Sequence, residues 1–182
     1  KDKYKGVQKK IIYCKKCLYP SLSASPMQFN DEGICMGCLM AEKKYSITEK
    51  EYYSKKQKLI NIIKKYKNKN DEYDCIVSVS GGKDSYYQTH YVKEILGLNP
   101  LLVTYNGNNF SDEGWENLMN MRKVFNCDHI IINPSERVLK KLNKIAFIVM
   151  GDMNWHNHVG LYTSAPRIAI RFKIPIIFWG EH

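Results

Sequence analysis

The chain has 182 residues, 44% hydrophobic and 25% charged, ordinary for a soluble globular protein with room for one sizeable domain and a small module. No apolar run approaches the ~20 residues needed to span a bilayer, and the lysine-rich first ten residues lead into no signal-peptide core. A net charge of +10 favours anionic partners: nucleotides, phosphorylated sugars, nucleic acid or a membrane surface. Much of the lysine lies in residues 1–16 and 43–69, where the simplest reading is a solvated face. The sequence starts on Lys1 and stops at Glu181-His182, just after an apolar run, so both ends are expected to be cuts in a longer protein.

Residues 1–42 read as a metal module. Cys14-x2-Cys17 and Cys35-x2-Cys38 stand seventeen residues apart, the spacing of two knuckles that present four thiolates to one structural Zn²⁺. Gly33 and Gly37 suit the turn at the second pair, and the polar loop with Pro20 and Pro26 needs the metal to fold. Two disulfides or an iron–sulfur cluster are the alternatives, and disulfides fit a chain that shows no secretory signal poorly. Cys75 and Cys127 read as small buried residues.

Residues 43–72 read as a basic helical linker. The helix is expected over 41–70, with Thr48-x-x-Glu51 as a capping box, Leu59, Ile62, Ile63 and Tyr66 as one apolar stripe laid on the next domain, and 68–71 as its polar end.

From residue 73 to 182 strands and helices alternate. Strands are expected at 75–79, 101–105, 129–132 and 175–179. Helices are expected at 84–96 (Tyr91, Val92, Ile95 and Leu96 inward), 115–126 (Leu118, Met121, Arg122, Phe125), 135–149 (Val138, Leu142, Ile145, Val149) and 161–172, with a long polar loop at 105–114. That order predicts an α/β fold, a parallel sheet with helices on both faces, whose ligands bind beyond the carboxyl ends of the strands.

The segment Ser80-Gly81-Gly82-Lys83-Asp84-Ser85 follows the first strand and opens the first helix of this domain. Strand, glycine loop and helix together cradle phosphate: glycines bring bare N–H groups to an anion, serines add hydroxyl donors and Lys83 adds a point charge. Asp84 cannot help an anion directly, so its role is to hold Mg²⁺ or to orient the loop. Further on, Gly151-Asp152-Met153-Asn154-Trp155-His156-Asn157-His158 packs an aromatic, two histidines and amides into a glycine-bounded loop. An aromatic face with amides suits a sugar, and histidine moves protons near neutral pH. A buried, hydrogen-bonded turn is the other reading of this segment.

Ser-Gly-Gly-Lys-Asp-Ser resembles the PP-loop of the ATP pyrophosphatases at all six positions. The combination of paired-CxxC module, PP-loop, the 151–158 segment and a last strand ending in Gly180-Glu181 resembles the N-acetyl sugar amidotransferase family, enzymes similar to WbpG and PseA, over nearly the whole chain. The resemblance implies a cytoplasmic enzyme that spends ATP to adenylate the oxygen of a sugar acetamido group. Ammonia then displaces AMP and leaves an acetamidino group. It implies that Ser80, Gly81, Gly82, Lys83, Asp84 and Ser85 bind the pyrophosphate with Mg²⁺, and that Thr104, Tyr105 and Asn106 face adenine and ribose. Gly180 and Glu181 would close the nucleotide side, and Asn154, Trp155, His156, Asn157 and His158 would meet the sugar. Lys83, Asp84 and His156 are the expected catalytic groups, with Cys14, Cys17, Cys35 and Cys38 on Zn²⁺. The implied partners are a glutaminase that makes ammonia and a cyclase-like subunit that channels it; nucleic acid is not expected on this reading. A tRNA-modifying PP-loop enzyme is the rival, which the net charge and the zinc module both suit. Thiolating relatives use paired cysteines inside the nucleotide domain, where only Cys75 and Cys127 stand, so lysidine-type adenylation is the form left open. The non-enzymatic rival, a nucleic-acid-binding zinc ribbon on an inert scaffold, leaves the intact loop without a use.

Overall fold

A computed structural model describes residues 10–22, 27–67, 72–107 and 110–180. The chain divides into two compact units, Lys1–Ile60 and Asn61–His182, and the division falls inside a helix.

The first unit is built from two small turns and helical segments. Tyr13 and Pro20 bridge antiparallel, as do Phe29 and Cys35, so each Cys-x2-Cys pair sits at a tight corner. In the first corner Leu18 adopts a left-handed φ of 60°, and its N–H returns to the Cys14 carbonyl. In the second, Gly33 takes φ +80°, which a side chain would oppose. Gly37 serves no such turn: it lies in helix α1, Met36–Tyr45, whose N-cap is Cys35. The single helix expected over 41–70 is two. After α1 the chain breaks at 46–48, and α2 runs Glu49–Tyr66. The capping box is the reason for the restart: the Thr48 hydroxyl accepts from the Glu51 N–H at 3.3 Å while Glu51 Oε2 accepts from the Thr48 N–H at 2.9 Å. Ile63 of the expected stripe is buried, whereas Ile62 and Tyr66 are exposed. The polar end at 68–71 lies outside the described residues.

The second unit has the expected class of fold, a parallel α/β sheet with helices on both faces. Its strands are β1 Cys75–Ser78, β2 Pro100–Tyr105, β3 His129–Ile132 and β4 Ile177–Phe178, in the order β3-β2-β1-β4 and all parallel. Helices α3 (Lys83–His90), α4 (Asp112–Phe125), α5 (Glu136–Met150) and α6 (Trp155–Phe172) make the crossovers. Ile76, Leu101 and Val103 point to one face and pack on Ala165 and Ala169 of α6 with Ile174. Period two sends Val77, Leu102 and Thr104 to the other face, and the register Leu102↔His129 adds His129 to it.

Four expectations need correction here. The helix after the glycine loop does not stay α-helical: Tyr91–Ile95 forms one wider turn, closed by the Leu96 N–H on the Tyr91 carbonyl. That extra residue shifts the phase, so Ile95 is exposed and Leu98 is buried in its place. The polar loop is shorter than expected, because Ser111 caps α4 at Asp112, its hydroxyl accepting from the Gly114 N–H. In α5 the inward face carries Ala146 with half-buried Leu139, Leu142 and Asn143, while Val138, Ile145 and Val149 are exposed. Finally, the segment expected as a loop at 151–158 is only a turn through Asn154, and α6 already begins at Trp155.

Candidate nucleotide cleft and four-cysteine centre

At the carboxyl end of β1 the chain leaves the sheet through Val79 and turns at the glycines. Gly81 holds φ +80°, and a Cβ there would lie 2.8 Å from the Leu118 backbone nitrogen of α4. Only glycine fits, for conformation and for space. Gly82 then caps α3 with no side chain over its first N–H groups, which leaves them free for an anion. The loop is braced from within: the Ser80 N–H donates to Ser85 Oγ at 2.9 Å, and the two hydroxyls lie 3.2 Å apart.

Ser80, Gly82, Asp84 and Ser85 open onto a cleft of about 1140 Å³. Tyr105, at the end of β2, lines it too. Cβ atoms added at Gly107 or Gly160 would run into the Tyr105 ring, so two glycines make room for it beside the α6 backbone, and burial raises its phenol pKa. From the other wall come Asn154, Asn157 and His158, with Gly180 at the rim. The first turn of α6 explains which residues of the 151–158 segment arrive there. Asn157 and His158 point into the cleft, and Asn154 Nδ2 lies 3.4 Å from His158 Nε2.

His156, one helical step away, faces the opposite direction. It is buried, and its Nε2 pairs with Asn143 Oδ1 of α5, which corrects the expectation that it is a catalytic group meeting substrate. Trp155 is 45% exposed and lies off the cleft lining. Thr104 is also elsewhere: it is buried, and its hydroxyl is engaged by Val79 and His129 rather than turned to the cleft. Lys83 stands exposed on the first turn of α3, and Glu181 lies outside the described residues. The cleft also takes Gln88 from α3, Tyr91 from the wider turn that follows it, and Tyr162 and Trp179 from the far wall; the sequence reading gave Tyr91 only an inward packing place and did not single out the other three. A signal for two of them was present: Asp84, Gln88 and Tyr91 fall at helical spacing on the face that starts from the loop.

Cys14, Cys17, Cys35 and Cys38 converge so that one sulfur from each lies within 4.8 Å of every other. Cys14 and Cys38 are 3.9 Å apart and Cys17 and Cys35 3.6 Å, against an edge of about 3.8 Å for a tetrahedron with metal–sulfur bonds near 2.3 Å. Burial raises the Cys14 thiol, but backbone N–H groups of Cys17, Cys35 and Lys16 outweigh it and leave a pKa of about 6. Hydrogen bonding with the Cys17 thiol, followed by burial, pushes Cys38 up to about 12. Cys14 ionises readily while Cys38 beside it resists, a resistance that a cation held between the sulfurs would relieve. The donor set and its geometry fit a bound metal ion.

No family model matches the chain. Over 120 residues, 66% of its length, it is 31% identical to the uncharacterized protein MJ1599 of Methanocaldococcus jannaschii, and it spans 42% of that relative, less than half. It is similar to the NMN synthetase of Francisella tularensis at 18% identity and a TM-score of 0.44, covering 72% of this chain and 54% of that one. It is similar to the NH3-dependent NAD synthetase of Campylobacter jejuni at 17% identity and a TM-score of 0.38, covering 66% and 52%. For the U34-tRNA thiolase NcsA of Methanococcus maripaludis, solved with its [4Fe-4S] cluster, the values are 14%, 0.30, 75% and 50%.

Proposed function

We propose that the protein is an AMP-forming, ATP-dependent enzyme that activates an amide oxygen by adenylation, and that its substrate is an acetamido sugar. The observation that carries this is the glycine loop: Ser80, Gly82, Asp84 and Ser85 at a strand-to-helix turn, opening onto one roomy cleft. Phosphate oxygens would take the free N–H groups of the first turn of α3 and the hydroxyls of Ser80 and Ser85. Lys83 would neutralise charge on the departing pyrophosphate, and Asp84 would hold Mg²⁺ beside it.

The amide oxygen attacks the α-phosphorus, the bond to the β-phosphate oxygen breaks, and pyrophosphate leaves. Ammonia then adds to the activated carbon and loses a proton, and AMP departs with the former amide oxygen. An amide carbonyl is a poor electrophile until its oxygen becomes such a leaving group. Asn154 and Asn157 supply amide hydrogen bonds for sugar hydroxyls. The proton-handling role proposed for this segment passes from His156 to His158, whose ring meets the cleft. Ammonia comes from a separate glutaminase through a cyclase-like subunit. The four-cysteine centre holds a structural Zn²⁺, a closed set with no open position for chemistry. Free thiols and ATP use suit a cytoplasmic setting.

An ATP–pyrophosphate exchange assay on the full-length protein tests the reading. Exchange that requires a nucleotide-linked N-acetyl sugar and is lost in Lys83→Ala supports it. Exchange that requires tRNA instead transfers the protein to RNA modification.

A further inference from the structure

We infer that His129 is a positioning residue for the glycine loop, acting through Thr104 on the peptide unit between Val79 and Ser80. Thr104 Oγ1 lies 2.6 Å from the Val79 carbonyl oxygen and 2.9 Å from His129 Nε2. A carbonyl only accepts, so the single hydroxyl proton goes to Val79. His129 Nε2 must then be the donor to Thr104, which fixes the ring as the neutral tautomer protonated at Nε2. Its Nδ1 is buried without a hydrogen-bond partner among the described residues, which suits a bare nitrogen better than an N–H. The chain of bonds runs one way, from His129 on β3 through Thr104 on β2 to the backbone leaving β1.

What it holds is specific. The Val79 carbonyl and the Ser80 N–H belong to the same peptide plane. Thr104 grips the carbonyl side, and Ser85 Oγ accepts from the N–H side at 2.9 Å. The preceding N–H, that of Val79, is bonded to the Val103 carbonyl at 3.0 Å. The plane from which the loop departs is thus pinned at both edges, one residue before Gly81 takes its φ of +80°. Were His129 to take up the other tautomer, its Nε2 would become an acceptor and draw the Thr104 proton away from Val79. Burial, and secondarily Arg122, keep the ring uncharged down to a pKa of about 4. The tautomer therefore sets the direction of the bonds throughout the range in which an ATP-using enzyme works.

The consequence for nucleotide affinity rests on the function proposed above; the consequence for the loop does not. Nitrogen NMR of the full-length protein reads the tautomer directly: a neutral His129 protonated at Nε2 at pH 7 is expected, and a ring protonated at Nδ1, or a charged one, overturns the inference. Amide exchange at Ser80 reads the loop without any ligand. It is expected to speed up about fivefold in Thr104→Val and His129→Leu, the loss of one hydrogen bond, and to be largely restored in Thr104→Ser and His129→Gln, which keep a donor. Unchanged exchange in Thr104→Val, or equal acceleration in all four variants, overturns it. A KM for ATP that rises by a similar factor in the first two variants only, with the maximal rate little changed, extends the effect to binding. Should the wild-type protein show no ATP dependence at all, the proposed function fails while the tautomer and the exchange rates still decide this inference.

Discussion

At the scale of single residues, two positions in the second unit carry consequences larger than their size. Gly81 combines a left-handed φ with a Cβ position 2.8 Å from the Leu118 backbone nitrogen. The first strain stays with the loop wherever α4 lies and the second relaxes only if loop or helix moves, so Gly81→Ala is expected to cost on the order of 2–3 kcal/mol and to abolish nucleotide binding. Urea denaturation checks the first part and equilibrium binding of ATP the second; a variant as stable as wild type would contradict the close packing of loop on helix. His129 makes a pH prediction. Burial, with Arg122 adding to it, lowers its pKa from 6.5 to about 4 in the folded protein. Above pH 6.5 neither the folded nor the unfolded chain protonates it. As pH falls from 6.5 toward 4 the unfolded chain takes up a proton that the folded one refuses, so stability declines across that window and levels off below it. Allowing for partial exposure, the loss is on the order of 2 kcal/mol. The difference in unfolding free energy between wild type and His129→Gln, from urea titrations at pH 7.5 to 4, should change by that amount and stay flat above pH 7.

At the scale of elements, the legible parts of the sequence were those with a strong local cause. β1 to β3 are runs of branched and apolar residues bounded by turns, and the glycine loop lies where a strand must hand over to a helix. The cleft wall at the start of α6 was harder, because Asp152 and Asn154 suit a turn as well as they suit a helix N-cap. Asn154 caps it with a near-helical backbone and no side-chain bond to a backbone N–H of the first turn, so the phase of the following residues could not be read. That phase alone decides that His158 meets the cleft and His156 meets Asn143. In α5 apolar residues stand on more than one face, and the spacing at 138, 142, 145 and 149 was only one of the stripes available. Tertiary packing selected another, centred on Leu142 and Ala146. The helix at α4 shows the opposite situation, a local signal passed over. Ser111 followed by Asp112 and Glu113 is an N-cap with two acids in the first turn, and Asn126 in the left-handed region closes the other end. Ser111→Ala removes the acceptor for the Gly114 N–H and is expected to cost about 1 kcal/mol. Ser111→Asp should restore most of it. Thermal melts of the pair decide whether the cap, rather than packing of Phe110 on Trp115, fixes the start of the helix.

At the scale of the whole molecule, the two units are held together internally by different physics. The second unit has a sheet with apolar residues packed on both faces, enough to fold by burial. In the first, Cys14 and Cys35 are the only buried residues among those described between 10 and 60, and α1 buries none of its own. Among the described residues, two short antiparallel bridges, a ten-residue helix and the first part of α2 bury too little apolar surface to offset chain entropy. A bound metal ion is what remains to stabilise them, through four sulfurs that already share one locus. Purified protein is therefore expected to carry one metal ion per chain, zinc by the donor set, released on thiol modification and measured with a metallochromic dye. An intense visible absorption band would point instead to an iron–sulfur cluster. Stripping the metal should abolish amide protection at Cys14, Leu18, Asn30 and Gly33, whose N–H groups are bonded within the two corners. Protection at Ile76 and Leu102, on β1 and β2, should persist, because their bonds lie in a sheet whose core needs no metal. If the corners kept their protection without metal, the first unit would have a source of stability that its burial does not reveal. If Ile76 and Leu102 lost theirs as well, the metal would be holding the second unit too, and the division into one metal-built and one core-built unit would be wrong.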